Sequence, residues 1–153
     1  MFKLSKKYQE ILEKALPIIL NKAGLLIEGK AKEMAPIDLG MMRVSISYRI
    51  EGNSVLIGTD IPYATFMEFG RPPGKGPPIS AIEGWAKRHG IDPFLVQRAI
   101  KRRGIPVGTV DNPLFTYGTY RPFLRPAAHR SVTRIKEIAI EEINKAIQEE
   151  KVK

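Results

Sequence analysis

The 153-residue sequence contains no cysteine, and this absence excludes several classes of function. Without cysteine the chain can hold no disulfide, no thiolate zinc site and no cysteine nucleophile. Histidine is almost as scarce, since only His89 and His129 are present, and their separation fits no metal-ligand motif. Both are therefore interpreted as surface histidines, and no metal or other cofactor is predicted.

Long apolar runs are missing as well. No segment is long enough to cross a bilayer, and the N-terminal sequence MFKLSKKYQE has no apolar signal-peptide core. These features predict a protein without a membrane partner, which stays in the cytoplasm unless a larger assembly carries it out.

Acidic residues are outnumbered by basic ones, 16 against 25, which gives a formal net charge of +9. This excess fits a nucleic acid or an acidic protein surface as a partner, and it fits equally well a surface with surplus lysine. Hydrophobic residues make up 43% of the chain, which is close to the usual value for globular domains. The length predicts one domain, residues 1–153.

The N-terminal third has helical periodicity. Apolar residues three and four apart predict a short helix, an interruption at Pro17, and a second helix from Pro17 to Met34. Pro36 ends that helix, because the residue before a proline avoids the α region. A terminal helix is predicted from about Ala127 to Gln148, since the prolines before it favour an extended segment.

The pattern between these helices alternates with a period of two. The stretch from Met42 to Ile50, the turn EGN and the returning SVLIGT predict a hairpin over residues 42–59. A third strand is predicted near 114–118. The predicted class is therefore α+β, with a small antiparallel sheet covered by the N-terminal and C-terminal helices.

Residues 80–103 are predicted to form a two-helix insert flanked by the Gly/Pro-rich loops RPPGKGPP and GIPVGTVDNP. SAIE predicts a capping box of Ser80 and Glu83, Asp92 is the predicted N-cap of the second helix, and Gly104 ends that helix. The flanking loops are expected to be exposed and to let the insert swing as a unit.

The insert also offers an alternative function, because two helices joined by a glycine-containing turn resemble a helix-turn-helix. Six basic side chains would suit phosphates or an acidic partner: Lys87, Arg88, Arg98, Lys101, Arg102 and Arg103. Gln97 is the only neutral amide on the second helix, so base readout is not expected. The apolar residues Phe94 and Leu95 are interpreted as part of a staple between the two helices.

An enzyme is the least favoured class. The sequence GRPPGKG superficially resembles a phosphate-binding loop, but it lacks the Gly-Lys-Ser/Thr ending and a helix directly after it. Glu68 has no partner carboxylate near it in the sequence that could divide acid and base roles. We therefore expect Glu68 to accept backbone N–H groups or to pair with one of Arg43, Arg121 and Arg125.

Three separated stretches carry a family resemblance: AKEMAPIDLGMMRVSI, VLIGTDIPYATFMEFG and RPFLRPAAHRSV. In this order, from about Leu16 to Ile147, they resemble the neck and tail-completion proteins of long-tailed bacteriophages and prophages, which include head–tail connectors and minor tail proteins. Leu39 stands where the family usually has threonine, and Arg71 follows Gly70 where the family usually continues Gly-Thr.

The resemblance implies a non-enzymatic virion part that is made in the host cytoplasm. It implies a homo-oligomeric, six-fold ring at the head–tail joint or tail top, in contact with other connector or tail proteins. Candidate residues of the subunit interface are Arg43, Tyr63, Glu68, Arg71, Arg121, Phe123 and Arg125. Non-specific contact with DNA passing through the ring would account for the positive charge.

Overall fold

The computed structural model describes residues 5–106 and 122–151, and the α+β class predicted from the sequence is confirmed. Helices dominate, and a two-stranded antiparallel hairpin packs against the terminal helices. The elements are α1 (Lys6–Met34), α2 (Met41–Ser45), β1 (Ser47–Glu51), β2 (Ser54–Gly58), α3 (Ala64–Phe69), α4 (Ile79–Arg88), α5 (Pro93–Arg103) and α6 (Leu124–Lys151).

The two longest helices, α1 and α6, form an antiparallel pair. Lys22 of α1 donates a hydrogen bond to Glu142 of α6 over 2.7 Å. Nearer the opposite end of the pair, the Lys30 ammonium donates to the Arg130 carbonyl over 2.9 Å. Towards the start of α1 and the end of α6, beyond the Lys22–Glu142 contact, small and branched apolar residues form a core that includes Ile11, Ala15 and Ala146.

Pro17 lies inside α1, so the predicted interruption and second helix are wrong. Proline removes one intrahelical hydrogen bond and crowds the preceding turn, which costs about 3 kcal/mol in a helix interior. The helix continues because it is packed against α6 on both sides of the proline, at the buried Ala15 and at the buried Ala23. The end at Met34 before Pro36 agrees with the prediction.

The main core lies where α1, α2, α3 and the start of α6 meet. Its buried members are Ile27, Ala31, Ala35, Met42, Ile46, Ala64, Phe123 and Ala127. The terminal helix begins at Leu124 rather than at Ala127, so the expectation that the prolines delay it is wrong. Pro126 falls in the first turn of α6, where a missing N–H costs nothing.

The predicted first strand is too long, because Met41–Ser45 is a helical turn. Gly40 precedes this turn with φ of 78°, a left-handed value that glycine adopts without strain, and its carbonyl accepts the Val44 N–H over 3.0 Å. Met42 and Ile46 are four residues apart, so a helical turn also buries both of them. Val44 between them is 80% exposed.

The hairpin itself is confirmed over Ser47–Glu51 and Ser54–Gly58, with Ser47 paired to Gly58 and Glu51 paired to Ser54. The third strand predicted near 114–118 falls outside the described residues. Tyr48 fastens the hairpin to α1, since its N–H donates to Glu28 over 3.2 Å and its hydroxyl donates to Asn21.

The ring of Tyr48 lies directly on Gly24, where a Cβ would sit 2.2 Å from the ring. Alanine usually stabilises a helix by about 1 kcal/mol over glycine, but this overlap is expected to cost more, about 1–3 kcal/mol. We therefore predict that Gly24→Ala lowers the free energy of unfolding in urea denaturation. Gly29→Ala in the same helix meets no atom within 4 Å and should raise it. Equal effects of the two substitutions would contradict this packing.

The two-helix insert is present as α4 and α5, and its base is closed. Arg71 and Ile105 exchange two backbone hydrogen bonds of 3.0 and 2.7 Å, and the Gly74 N–H donates to the Lys101 carbonyl over 2.8 Å. These hydrogen bonds fasten the start of the RPPGKGPP loop to α5 and to the residue that follows its cap. Arg88 of α4 forms a two-point ion pair with Asp38, which attaches the insert to the body of the domain.

The ends of the insert helices follow the sequence only in part. The capping box is wrong, because α4 begins at Ile79 and no side chain caps it, while Glu83 pairs with Lys87. Asp92 does cap α5, accepting the Phe94 N–H over 2.8 Å. Gly104 ends α5 with φ of 72°, as predicted.

Candidate functional site: the Glu68 junction

A buried carboxylate lies where α3 meets the N-terminus of α6. Glu68 is only 2% exposed. One of its oxygens accepts the backbone N–H groups of Phe123 and Leu124 over 2.7 and 2.9 Å, and the other accepts the N–H of Arg125 over 2.9 Å. The first N–H groups of a helix have no acceptor within the helix. Glu68 therefore caps α6 from a distant element.

Arg125 completes the junction from the solvent side. Its Nε donates to the Glu68 carboxylate over 3.0 Å, and a terminal guanidinium nitrogen donates to the Glu68 backbone carbonyl over 2.7 Å. Of the two predicted partner arginines that lie within the described residues, Arg125 is the one that binds Glu68. The Nε of Arg43 is buried with no hydrogen-bond partner in the described part of the chain, and Arg121 lies outside the described residues.

The junction favours the ionised form of Glu68. Burial acts to raise the pKa of Glu68, but the three backbone donors and the Arg125 side chain outweigh it and hold the pKa below its ordinary value. The positive end of the α6 dipole acts in the same direction. A general acid needs a pKa near the working pH and access to substrate, and Glu68 has neither. Its role as a structural acceptor, predicted from the sequence, is confirmed.

The outer surface of α3 carries two aromatic rings, each covered by an arginine. The guanidinium of Arg71 lies 5.1 Å from the centre of the Phe66 ring, and that of Arg125 lies 4.7 Å from the centre of the Phe69 ring. Both rings remain exposed, as does Tyr63 at the start of α3. We call these five side chains the α3 surface.

The sequence pointed to three members of the α3 surface, namely Tyr63, Arg71 and Arg125, and missed Phe66 and Phe69. Their helical spacing looks like that of core residues, and only the fold shows that they face outwards. Phe123, another candidate, is fully buried in the main core. It positions the junction from inside, because its N–H is one of the three that Glu68 binds.

A groove of about 310 Å³ runs beside the junction. Its walls are the segment Gly58–Pro62 at the end of β2, the residues Ala64, Thr65, Glu68 and Phe69, and Leu124 of α6. Since the Glu68 oxygens are already hydrogen-bonded, the groove presents apolar surface, the hydroxyls of Thr59 and Thr65, and the exposed carboxylate of Asp60.

The six basic candidates of the insert fall into two groups. Lys87 pairs with Glu83 over 2.8 Å, and Arg88 pairs with Asp38, so these two serve structure. The other four have no ion pair among the described residues and are exposed: Arg98, Lys101, Arg102 and Arg103. Residues 71–106 hold eight basic and two acidic residues, a net charge of +6 out of the +9 of the chain.

Within residues 5–106 and 122–151, no cluster of three or more histidine or acidic side chains could hold a metal ion. Both histidines are exposed, as predicted. The described helices include none with the length and apolar character needed to span a membrane.

The described residues form a small α+β fold in which the buried acid of α3 binds the N-terminus of α6. Residues 1–70 match the family model described as "Bacteriophage HK97-gp10, putative tail-component". The first 70 residues are thus similar to an HK97 gp10-like phage tail component, which agrees with the resemblance carried by the first two of the three sequence stretches. The family is one of phage tail components, which are structural parts of the particle. Comparisons with curated proteins and with solved structures gave no match.

Proposed function

We propose that copies of this chain assemble into a closed, six-fold ring at the head–tail junction or tail top of a tailed phage or prophage particle. The match of residues 1–70 to a tail-component family carries this proposal. The ring would form in the host cytoplasm and remain in the virion, joined to other connector or tail proteins.

A ring needs two different surfaces on each copy that fit one another after a rotation. The α3 surface suits one of them. Protein interfaces are enriched in aromatic residues and arginine, and Phe66 and Phe69 are exposed while each is stacked with an arginine. Because Glu68 and Arg125 fix α3 on α6, these rings are held in place before any contact forms. Little side-chain freedom would then be lost on assembly.

The experiment replaces both rings, Phe66→Ser with Phe69→Ser, in a phage or prophage whose own copy of the gene is deleted. Each aromatic anchor in an interface is worth about 2 kcal/mol or more, so the double variant should weaken ring closure by a factor of about 1,000. We expect the purified variant to fold and unfold as the wild type does, while electron microscopy shows heads and tails that are not joined.

Ile140→Ser serves as the control, because Ile140 is exposed on α6 away from the α3 surface. It should restore joined particles. Normal, infective particles from the deletion strain would overturn the proposed function itself. Joined particles with the double variant would show that the ring closes through another surface.

Duplex DNA binding through the insert is the second candidate function. An exposed basic cluster favours it, because such side chains would neutralise phosphates and have no ion pair with another described residue: Arg98, Lys101, Arg102 and Arg103. Binding that weakens steeply with salt, and that is lost when these four side chains are neutralised, would support this alternative.

A further inference from the structure

The exposed side of α5 mixes cations with large apolar side chains. An α-helix turns by about 100° per residue, which places five outward residues within about 120° of its circumference. These residues, which we call the α5 face, are Phe94, Leu95, Arg98, Lys101 and Arg102. Phe94 is 63% exposed and Leu95 is 56% exposed, so the prediction that they staple the two insert helices is wrong.

The opposite side of α5 makes the internal contacts. Val96 and Ile100 are partly buried. Gln97 donates its side-chain amide to the Pro77 carbonyl over 2.8 Å, and its side chain lies against Gly76. The insert is therefore held together without Phe94 and Leu95, and these side chains are left to the surface.

The α5 face is also held in place. The Arg71–Ile105 bridge closes the base of the insert, and Gly74 binds the carbonyl of Lys101 on α5 itself. The ion pair between Arg88 and Asp38 ties α4 to the body of the domain. A preorganised surface loses less entropy when a partner binds.

We propose that the α5 face binds an acidic, amphipathic segment of another protein, with apolar residues against Phe94 and Leu95 and carboxylates against Arg98, Lys101 and Arg102. Charge complementarity supports an acidic partner, since residues 71–106 carry a net charge of +6 and both acids of the insert are engaged, Glu83 with Lys87 and Asp92 as a helix cap. Aromatic residues and arginine are enriched at protein interfaces, and the α5 face supplies Phe94, Arg98 and Arg102.

The same residues fit duplex DNA less well. A recognition helix places its N-terminal residues against base edges, and phosphates favour the positive N-terminus of a helix. The N-terminus of α5 instead presents the carboxylate of Asp92 and the apolar Phe94 and Leu95. Its cations lie towards the C-terminus. Phosphate contacts would therefore leave two large apolar side chains without a partner.

The test measures fluorescence anisotropy of three labelled probes with the full chain at physiological ionic strength. The probes are an amphipathic helical peptide with leucine on one face and glutamate on the other, polyglutamate of the same charge, and a short DNA duplex. We expect the amphipathic peptide to bind about tenfold or more tighter than either other probe, because only it can use both parts of the α5 face.

Two double variants separate the contributions. Phe94→Ser with Leu95→Ser should weaken binding of the amphipathic peptide about tenfold or more, to the level of polyglutamate. Arg98→Gln with Arg102→Gln should weaken the binding of all three probes. Lys6→Gln with Lys7→Gln removes the same charge from the start of α1 and should change peptide binding little. Circular dichroism establishes that each variant is folded.

Duplex binding as tight as peptide binding would overturn the inference in favour of DNA. Peptide binding that is undetectable, or that survives the loss of Phe94 and Leu95, would overturn it as well. The inference uses the proposed function only in taking the partner to be a neighbouring particle protein. Its failure in these assays leaves the deletion phenotype unaffected, so the two proposals fail separately.

Discussion

Replacing Glu68 by glutamine is expected to lower the free energy of unfolding by about 3 kcal/mol. The carboxylate accepts the N–H groups of Phe123, Leu124 and Arg125, and it pairs with the Arg125 side chain. Glutamine keeps one acceptor oxygen and turns an NH₂ group towards buried donors. For a chain of this length, the loss corresponds to a melting temperature lower by about 6–12 °C, which calorimetry can measure.

Glu137→Gln is the matched control, because Glu137 is an exposed acid on α6 that pairs only at the surface with Arg134. Its melting temperature should stay close to that of the wild type. Similar losses in the two variants would mean that the Glu68 junction contributes no more than a surface ion pair.

The Glu68 junction should also show in the pH dependence of stability. The pKa of Glu68 is lower in the folded chain than in the unfolded chain, so its contribution is fully present above the unfolded pKa and is lost as the pH falls through the folded pKa. The stability difference between wild type and Glu68→Gln should therefore be constant above about pH 5 and narrow in more acidic solution. An unchanged difference at about pH 3 would contradict ionisation as its source.

Gly104→Ala should open the base of the insert and destabilise it by about 3 kcal/mol or more. Gly104 has φ of 72°, which costs an alanine about 1–2 kcal/mol. In addition, a Cβ at this position would lie 2.2 Å from the Arg71 carbonyl oxygen and 2.9 Å from the backbone of Pro72 and Pro73. Backbone atoms cannot turn aside as a side chain can, so the Arg71–Ile105 bridge has to break.

Hydrogen exchange at the amides of Arg71 and Gly74 measures this opening directly, because both are hydrogen-bonded across the base of the insert. Gly90→Ala provides the control. Gly90 also has a left-handed φ, of 65°, but no atom lies within 4 Å of its Cβ position. Gly90→Ala should therefore be destabilised only by the cost of a left-handed φ for alanine, and the amides of Arg71 and Gly74 should stay protected from exchange. Protected amides in Gly104→Ala would contradict the tight approach of the two segments.

The role of Glu68 could be predicted because few groups can donate hydrogen bonds to a lone carboxylate in an apolar setting. Backbone N–H groups and the arginine side chain are the main ones. Choosing Arg125 over Arg43 needed the fold, since only the packing of α3 on α6 shows which cation lies within reach. The caps of α5 were also predictable, because Asp92 and Gly104 act on their immediate neighbours.

Predictions failed where two patterns coincide or where packing overrides local preference. Met42 and Ile46 fit a strand with period two and equally a helical turn with spacing four, and Gly40 decides for the turn. Pro17 interrupts a helix by its own chemistry, yet the partner helix α6 holds α1 together across it. Phe94 and Leu95 are large apolar residues of a kind that is usually buried, yet both face outwards.

The main core is closed by residues from outside the region that matches the family model. The matched region ends at residue 70, but two fully buried members of the main core lie beyond it, Phe123 directly before α6 and Ala127 in its first turn. A chain cut after Gly70 would retain every residue of the match and expose Ile27, Ala31 and Ile46 to water. The segment that matches the family is therefore smaller than the segment needed to close the main core, to which α6 contributes.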